Sequence, residues 1–125
     1  MGAPARFRGG PGAGVLALGR LKTGQQNKTE AAYGLHLKAL EAAGEVAWFA
    51  FEGVKLWLAD NTFYTPDFAV MRADGAMEMH EVKGHWADDA RVKIKVAADR
   101  FPFRFVAIRA LPKRSGFAWE VENFS

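Results

Sequence analysis

The sequence contains no cysteine among its 125 residues. Disulfide bonds and thiolate zinc sites are therefore excluded, and the absence fits a cytoplasmic protein. The three histidines, His36, His80 and His85, are too scattered for a typical zinc cluster. No apolar stretch approaches the roughly 20 residues of a membrane-spanning helix. We therefore expect a cytoplasmic protein with no membrane partner.

Acidic residues are absent from the first 29 residues, and the excess positive charge of the chain lies there. This segment carries five basic side chains, which are Arg6, Arg8, Arg20, Lys22 and Lys28. The remaining 96 residues carry 12 basic and 14 acidic side chains. A basic segment beside an acidic site is suited to holding a polyanion over a metal centre, and a solubilising tail is the alternative interpretation.

Composition divides the chain near residue 26. Residues 1–26 are rich in glycine, alanine and proline and show little periodicity, which predicts an irregular basic arm. Residues 27–125 have the length of one small domain, and 50% of the whole chain is hydrophobic, which is enough for a core. We therefore expect an arm at 1–26 followed by one folded domain at 27–125.

The clearest helix is predicted from Asn27 to Ala43. Asn27 is a favourable N-cap residue, Glu30 is its capping-box partner, and Gly44 is a natural stop. At helical spacing, Glu30 falls on the edge of the apolar face that points toward the domain. This glutamate therefore has two interpretations, which do not exclude each other: it caps the helix, or it adds a carboxylate to a site.

The segment from Tyr64 to Gly84 predicts a β-hairpin, with a polar turn at 72–75 between two strands. Asp67 opens the first strand, and Glu81 and Lys83 close the second. Alternate residues on a strand share a face, so Glu81 and Lys83 should lie on one side. Because an antiparallel hairpin brings its two outer ends together, we expect Asp67 to lie close to both.

Two carboxylates beside one ammonium group are suited to metal-dependent chemistry on phosphate. Mg²⁺ prefers oxygen ligands and is often held by one or two carboxylates with water and substrate phosphate. A lysine beside the metal can orient the attacking water and neutralise charge that develops on phosphate. The alternative is a surface hairpin with a solvated Glu81–Lys83 pair, since charged residues are mostly exposed.

The remaining elements predict an α/β domain, with a mixed β-sheet flanked by helices. Strands are expected at 45–51 and 54–58, forming a hairpin across 52–53, and at 103–110 and 117–121, separated by a basic loop at 111–116. A helix is expected at 88–100, although alternation of Val92, Ile94 and Val96 also fits a strand. This helix should form a parallel crossover between the strands at its two ends. The aromatic residues at 48–57 are expected in the core, with nucleic-acid stacking as the alternative.

Two short motifs in this order resemble the PD-(D/E)XK nuclease superfamily. Pro66-Asp67 resembles the first half-motif and Glu81-Val82-Lys83 the second, while residues 27–33 look like the helix that often carries a glutamate. The resemblance covers about residues 27–108, and the chain looks most like small phage-type endonucleases and archaeal-type Holliday junction resolvases. It implies a restriction-endonuclease-like core in a protein of a prokaryotic or phage-infected cell.

The resemblance also implies a set of site residues and partners. Mg²⁺, for which Mn²⁺ would substitute, would be held by Asp67, Glu81 and the Val82 backbone carbonyl, with Glu30 contributing directly or through water. Lys83 would position the attacking water. The implied DNA-binding residues are the five basic side chains of residues 1–29 together with Arg91, Lys93 and Lys95 of the second helix.

The expected activity is hydrolysis of phosphodiester bonds in branched DNA by a homodimer. Four apolar residues near the end of the chain offer material for a dimer interface or for the core: Phe117, Trp119, Val121 and Phe124. The sequence leaves three alternatives open. These are an endonuclease that nicks or cuts other DNA, an RNA-processing nuclease, and a nucleic-acid-binding module without catalytic activity.

Overall fold

The computed structural model describes residues 26–83, 88–113 and 116–125. In chain order these residues form α1 (Lys28–Ala42), β1 (Val46–Phe51), β2 (Leu56–Ala59), β3 (Thr62–Tyr64), β4 (Phe68–Arg72), β5 (Met77–Val82), α2 (Asp88–Arg100), β6 (Arg104–Lys113) and β7 (Gly116–Asn123). The predicted arm lies outside the described residues except for Gln26. Arg6, Arg8, Arg20 and Lys22 are therefore not part of the structural description.

Five of the strands form one mixed sheet in the order β1-β4-β5-β6-β7. Every neighbouring pair is antiparallel except β5 and β6, which are parallel and are connected through α2. The predicted α/β class, with a mixed sheet and flanking helices, is therefore confirmed. The parallel crossover between the strand that carries Glu81 and the strand after α2 is confirmed as well.

The sheet separates two apolar clusters, and the alternation of side chains along β4 assigns residues to one or the other. Phe68 and Val70 pack with Tyr33 and Leu37 of α1. Ala69, which points the opposite way, packs in the second cluster with residues of α2 and of the β2–β3 hairpin, such as Ile94, Ala97 and Leu58. Burial on both faces explains why β4 is continuously apolar at its start.

Helix α1 begins and ends as the sequence predicts. The Asn27 side chain accepts a hydrogen bond from the Glu30 backbone N–H, and the Glu30 carboxylate accepts one from the Asn27 backbone N–H. This reciprocal pair is a capping box. Beyond the helix, Gly44 has φ +84°, a left-handed conformation that glycine adopts without a steric penalty and that ends a helix.

Helix α2 is a helix rather than the alternative strand, because its burial follows helical spacing. Ile94 and Ala97 are fully buried at a spacing of three, whereas Val92 and Val96 are exposed. Neither α1 nor α2, the helices in the part of the chain that the structure describes, is long and apolar enough to cross a membrane.

The predicted hairpin between 45–51 and 54–58 is wrong. Strand β1 pairs with β4, and β2 pairs instead with β3 in a separate two-stranded sheet. The central strand β4 needs partners on both edges, and β1 occupies the edge opposite β5. The chain leaves β1 at Glu52, which has φ +50°, and β2 then packs its apolar side chains near α2.

The loop predicted at 111–116 is also wrong, because β6 and β7 stay paired to Lys113 and Gly116. Only residues 114 and 115 of this segment lie outside the description. Beyond Ile108, β6 pairs with β7 but no longer with β5, so Pro112 occupies a stretch whose other edge has no strand partner among the residues that the structure describes. Proline is tolerated at such an edge, since its missing N–H interrupts no ladder there.

The aromatic residues around β1 and β2 are expected in the core, and for two of the four this expectation is wrong. Phe49 and Phe51 pack against the cluster beneath α1. Trp48 and Trp57 instead keep 42% and 52% of their surface exposed. The ring of Trp57 is covered in part by the Arg100 guanidinium, whose carbon lies 5.5 Å from the ring centroid.

Candidate active site

Asp67 directly precedes β4 and is almost completely buried, with 2% of its surface exposed. Its Oδ2 accepts a hydrogen bond of 2.8 Å from the Val82 backbone N–H on β5. Its backbone carbonyl accepts a second hydrogen bond of 2.7 Å from the N–H of Glu52. The side chain of Asp67 is therefore fixed to β5, and its backbone is fixed to the residue that follows β1. The carboxylate points toward the end of β5.

Glu81 and Lys83 lie at that end of β5, on one face as predicted. Lys83 Nζ lies 3.1 Å from Glu81 Oε2. The Lys83 side chain keeps 33% of its surface exposed, while the Glu81 side chain keeps 7%. The pair thus has a buried acid and a lysine at the opening to solvent, which differs from the solvated surface pair considered as the alternative.

Tyr64 completes the surroundings of Glu81. Its hydroxyl donates a 2.7 Å hydrogen bond to Glu81 Oε1, so both carboxylate oxygens of Glu81 have protein partners. The sequence predicts no role for this tyrosine in the site, because residues 62–64 are not predicted as a strand and 54–58 is predicted to pair with 45–51. The local signal is its position three residues before Asp67.

Glu30 reaches the same region from the first turn of α1. It is buried, with 8% of its surface exposed, and its Oε1 accepts a 3.0 Å hydrogen bond from the Asn27 N–H. The capping interpretation is therefore confirmed. Its negative charge also contributes to raising the pKa of Asp67. Both interpretations of Glu30 are compatible with this geometry.

Burial and crowding of acids dominate the electrostatics of Asp67. Burial, followed by the charges of Glu81 and Glu30, raises the pKa of Asp67 to about 8, against the opposing effects of the Val82 N–H and Lys83. At neutral pH, and without a cation, this carboxyl group holds a proton. A cation placed among these carboxylates would favour the ionised form and displace that proton.

The pKa of Lys83 is raised as well, but for an amine this shift favours the charged form. Burial alone would lower its pKa, but the charges of Glu81, Asp67 and Glu30 outweigh burial and raise the pKa above its ordinary value. Lys83 therefore stays positively charged at physiological pH. This charge suits it to orient water or to stabilise negative charge, and it does not suit Lys83 to remove a proton from water.

The donor chemistry of this cluster suits a hard divalent cation, since all the candidate ligands are oxygen atoms. Among the described residues, however, no three His, Cys, Asp or Glu side chains are arranged as a ready-made metal site. Asp67 Oδ2, Glu30 Oε1 and both oxygens of Glu81 have protein hydrogen-bond or ion-pair partners. Metal binding would therefore require some of these contacts to be exchanged.

The predicted DNA-binding residues within the described part of the chain are dispersed over two helices. Lys28 is exposed at the first position of α1, two residues before Glu30. On α2, Lys95 is exposed and Lys93 is half-buried. Arg91 lies beside a cleft that Lys83 also lines, and its guanidinium is 3.1 Å from Glu122 of β7.

A buried polar network, which was not predicted from the sequence, lies on the other face of β5. Tyr33 Oη lies 2.7 Å from His80 Nδ1, and His80 Nε2 lies 2.8 Å from Glu78 Oε1. An imidazole with its proton on Nε2 satisfies both contacts, since the Tyr33 hydroxyl then donates to Nδ1. The sequence signal is the alternation of Glu78 and His80 with the apolar residues Met77 and Met79 on β5.

This network joins the two elements that carry acids of the candidate site. Tyr33 is one turn after Glu30 on α1, and His80 directly precedes Glu81 on β5. Burial raises the pKa of the Tyr33 hydroxyl, so the group remains protonated and available as a donor. The hydrogen bond between Tyr33 and His80 therefore fixes the helix to the strand close to both carboxylates.

Comparisons with known proteins add no assignment to this geometry. No family model, no curated protein and no solved structure matches the chain. Any assignment of function therefore rests on the cluster around Asp67 and on the two short motifs that contribute to it.

Proposed function

We propose that this protein is a Mg²⁺-dependent endonuclease that hydrolyses phosphodiester bonds in DNA. The observation that carries the proposal is the convergence of Asp67, Glu81 and Lys83 at the ends of two paired strands, with Glu30 nearby. A buried group of acids costs stability, and groups whose pKa is perturbed in this way are concentrated at functional sites. Binding a divalent cation is a purpose that fits this arrangement of oxygen donors.

In the proposed site the acids bind the metal and the lysine acts on water and phosphate. Asp67, Glu81 and the Val82 carbonyl would hold Mg²⁺, for which Mn²⁺ would substitute, with Glu30 contributing directly or through water. Bound Mg²⁺ supplies activation of water and stabilisation of charge on the phosphate oxygens. Lys83, which stays charged at the opening of the site, would orient the attacking water and stabilise negative charge in the transition state.

We propose that the protein belongs to the PD-(D/E)XK superfamily and has a restriction-endonuclease-like core, with which the mixed sheet flanked by helices is compatible. The hairpin β4–β5 carries the two half-motifs, and α2 then leads to a parallel partner of β5. A glutamate-bearing helix precedes them on one face of the sheet. The same order of elements is what the motif resemblance implies.

We further propose that the substrate is branched DNA and that the active unit is a homodimer. One site cuts one strand at a time, and resolving a four-way junction needs two symmetric cuts, which a two-fold dimer provides. Of the four apolar residues considered for its interface, Trp119 and Phe124 pack against the cores, and Val121 is 55% exposed. The Phe117 side chain lies outside the description.

A panel of substrates tests activity and substrate class together. Linear duplex, plasmid, four-way junction and RNA should each be incubated with Mg²⁺, with Mn²⁺ and with EDTA, while light scattering at micromolar concentration gives the oligomeric state. We expect cleavage of the junction in preference to the duplex, dependence on the metal, and a dimer. A monomer that cuts DNA without junction preference would support an endonuclease of another kind, and cleavage of RNA alone would support an RNA-processing enzyme.

The rival function is a nucleic-acid-binding module without catalytic activity. The observation that favours it is the occupation of both Glu81 oxygens by Tyr64 and Lys83, which makes the acid look structural. In that case the panel should give binding with no cleavage under any metal condition.

The basic arm provides a separate prediction. Deleting residues 1–26, which hold four basic residues and no acid, should weaken DNA binding while the domain stays folded. The slope of log affinity against log salt should also decrease, because fewer counterions are released when fewer phosphates are contacted. Fluorescence anisotropy over a salt series measures both quantities. An unchanged slope would show that the arm makes no phosphate contacts.

A further inference from the structure

A cleft of about 240 Å³ opens next to Lys83 between α2 and the strands β6 and β7. Besides Lys83, its charged lining residues are Arg91, Arg109, Glu120 and Glu122. The strand register explains how it adjoins the candidate active site. Ala107 of β6 pairs with both Glu81 of β5 and Glu122 of β7, so the cleft begins directly beside Glu81 on the sheet.

Each arginine of the cleft is paired with a glutamate of β7. The Arg91 guanidinium lies 3.1 Å from Glu122 Oε2. Arg109 donates from two nitrogens to Glu120 Oε1, at 2.9 and 2.6 Å. All four side chains keep between 34% and 56% of their surface exposed. Ion pairs exposed to this extent contribute little to stability, so they are exchanged for another partner at small cost.

We propose that this cleft binds a backbone phosphate of a nucleic-acid strand adjacent to the phosphate that is attacked, and that Glu120 and Glu122 occupy its arginines until the strand arrives. The inference rests on the proposed function, because it takes the reacting phosphate to lie at Lys83. The cleft has three cationic and two anionic side chains, so it keeps one net positive charge, and its two guanidinium groups and one ammonium group are donors that suit the phosphates of a nucleic-acid strand. A guanidinium binds phosphate oxygens in the same forked geometry with which it binds a carboxylate.

The two glutamates distinguish this cleft from a purely basic patch, because they affect its affinity for nucleic acid. Both acids compete with the incoming phosphate for the arginines and repel it, so they lower the affinity for any nucleic acid that enters the cleft. Removing either carboxylate charge should therefore tighten binding, whereas removing an arginine should weaken it.

The test compares Glu122→Gln, Glu120→Gln and Arg109→Gln with wild type. The probe is a fluorescein-labelled DNA duplex in EDTA at fixed moderate salt, and anisotropy gives the affinity. We expect each glutamine variant to bind about three- to tenfold more tightly than wild type. Arg109→Gln should bind more weakly, and its salt slope should fall by about one. Glu41→Gln is the matched control, because it makes the same change of charge at an exposed position of α1.

Two results would overturn the proposal. One is that Glu122→Gln and Glu120→Gln bind no more tightly than Glu41→Gln, and the other is that Arg109→Gln keeps the wild-type affinity and salt slope. Thermal unfolding of each variant establishes that it is folded. Because binding is measured without metal, tighter binding by the two glutamate variants supports the cleft even if no cleavage is found. Cleavage by wild type together with unaltered binding in these variants would reject the cleft alone.

Discussion

Asp67→Asn should abolish Mg²⁺-dependent cleavage, by roughly a thousandfold or more, while DNA binding stays near wild type. The amide can still accept the hydrogen bond from the Val82 N–H, so the local fold should survive. What disappears is one anionic ligand of the proposed metal. Binding should not weaken, because the asparagine is neutral, as the protonated Asp67 is at neutral pH without a cation, and so adds no repulsion of the phosphate. Single-turnover cleavage and anisotropy with the same DNA give the two readouts.

Glu81→Gln should behave in the same way, since the introduced amide would still accept a hydrogen bond from Tyr64 but would carry no charge. Asp74→Asn is the matched control. Asp74 lies in the turn at the opposite end of the same hairpin, where its Oδ1 accepts a hydrogen bond from the Ala76 N–H that an amide can also accept. This variant should cleave like wild type. Retention of activity by Asp67→Asn or by Glu81→Gln with metal present would reject the assigned site.

The second large effect is on stability, and it has a definite dependence on pH. The pKa of Asp67 is about 8 in the folded protein, against an ordinary value of 3.8. Between these pH values the folded state holds a proton that the unfolded state releases. Wild-type stability is therefore lost as the pH rises from about 4 to about 8. An asparagine amide does not titrate in this range, so Asp67→Asn should avoid this loss.

The variant should thus be more stable than wild type at pH 8 in EDTA, by on the order of a few kcal/mol, and the difference should shrink toward pH 4. Urea unfolding at several pH values measures the free energy of unfolding, and Asp74→Asn again serves as control. A difference that stays constant or decreases as the pH rises would contradict the electrostatic account of the site.

Together, the effects of Asp67→Asn on cleavage and on stability distinguish a functional acid from a structural one. A buried acid whose removal stabilises the fold is not there to hold the fold together. Loss of activity with a gain of stability in one variant would be the signature expected of a functional carboxylate. Loss of stability in Asp67→Asn would instead favour a structural role for the acid and with it the non-catalytic module.

Local patterns in the sequence were enough to predict several elements of the structure. The capping box of Asn27 and Glu30, the stop at Gly44 and the β4–β5 hairpin all depend on residues close together in the chain. The approach of Asp67 to Glu81 and Lys83 followed as well, because a tight hairpin sets the register of its own strands. The chemical nature of the candidate site was therefore predictable from sequence alone.

Contacts between distant segments were decided only by the tertiary structure. Which strand pairs with β1 depends on which edge of β4 lacks a partner, and local patterns do not contain that information. The predicted hairpin was therefore wrong, and the contact of Tyr64 with Glu81 was not predicted. The pairing of Arg91 with Glu122 likewise requires α2 to pack on the face of the sheet to which Glu122 of β7 points. Hydrophobic periodicity states which face of an element is buried, but not what buries it. That choice depends on how all the elements fill one core together.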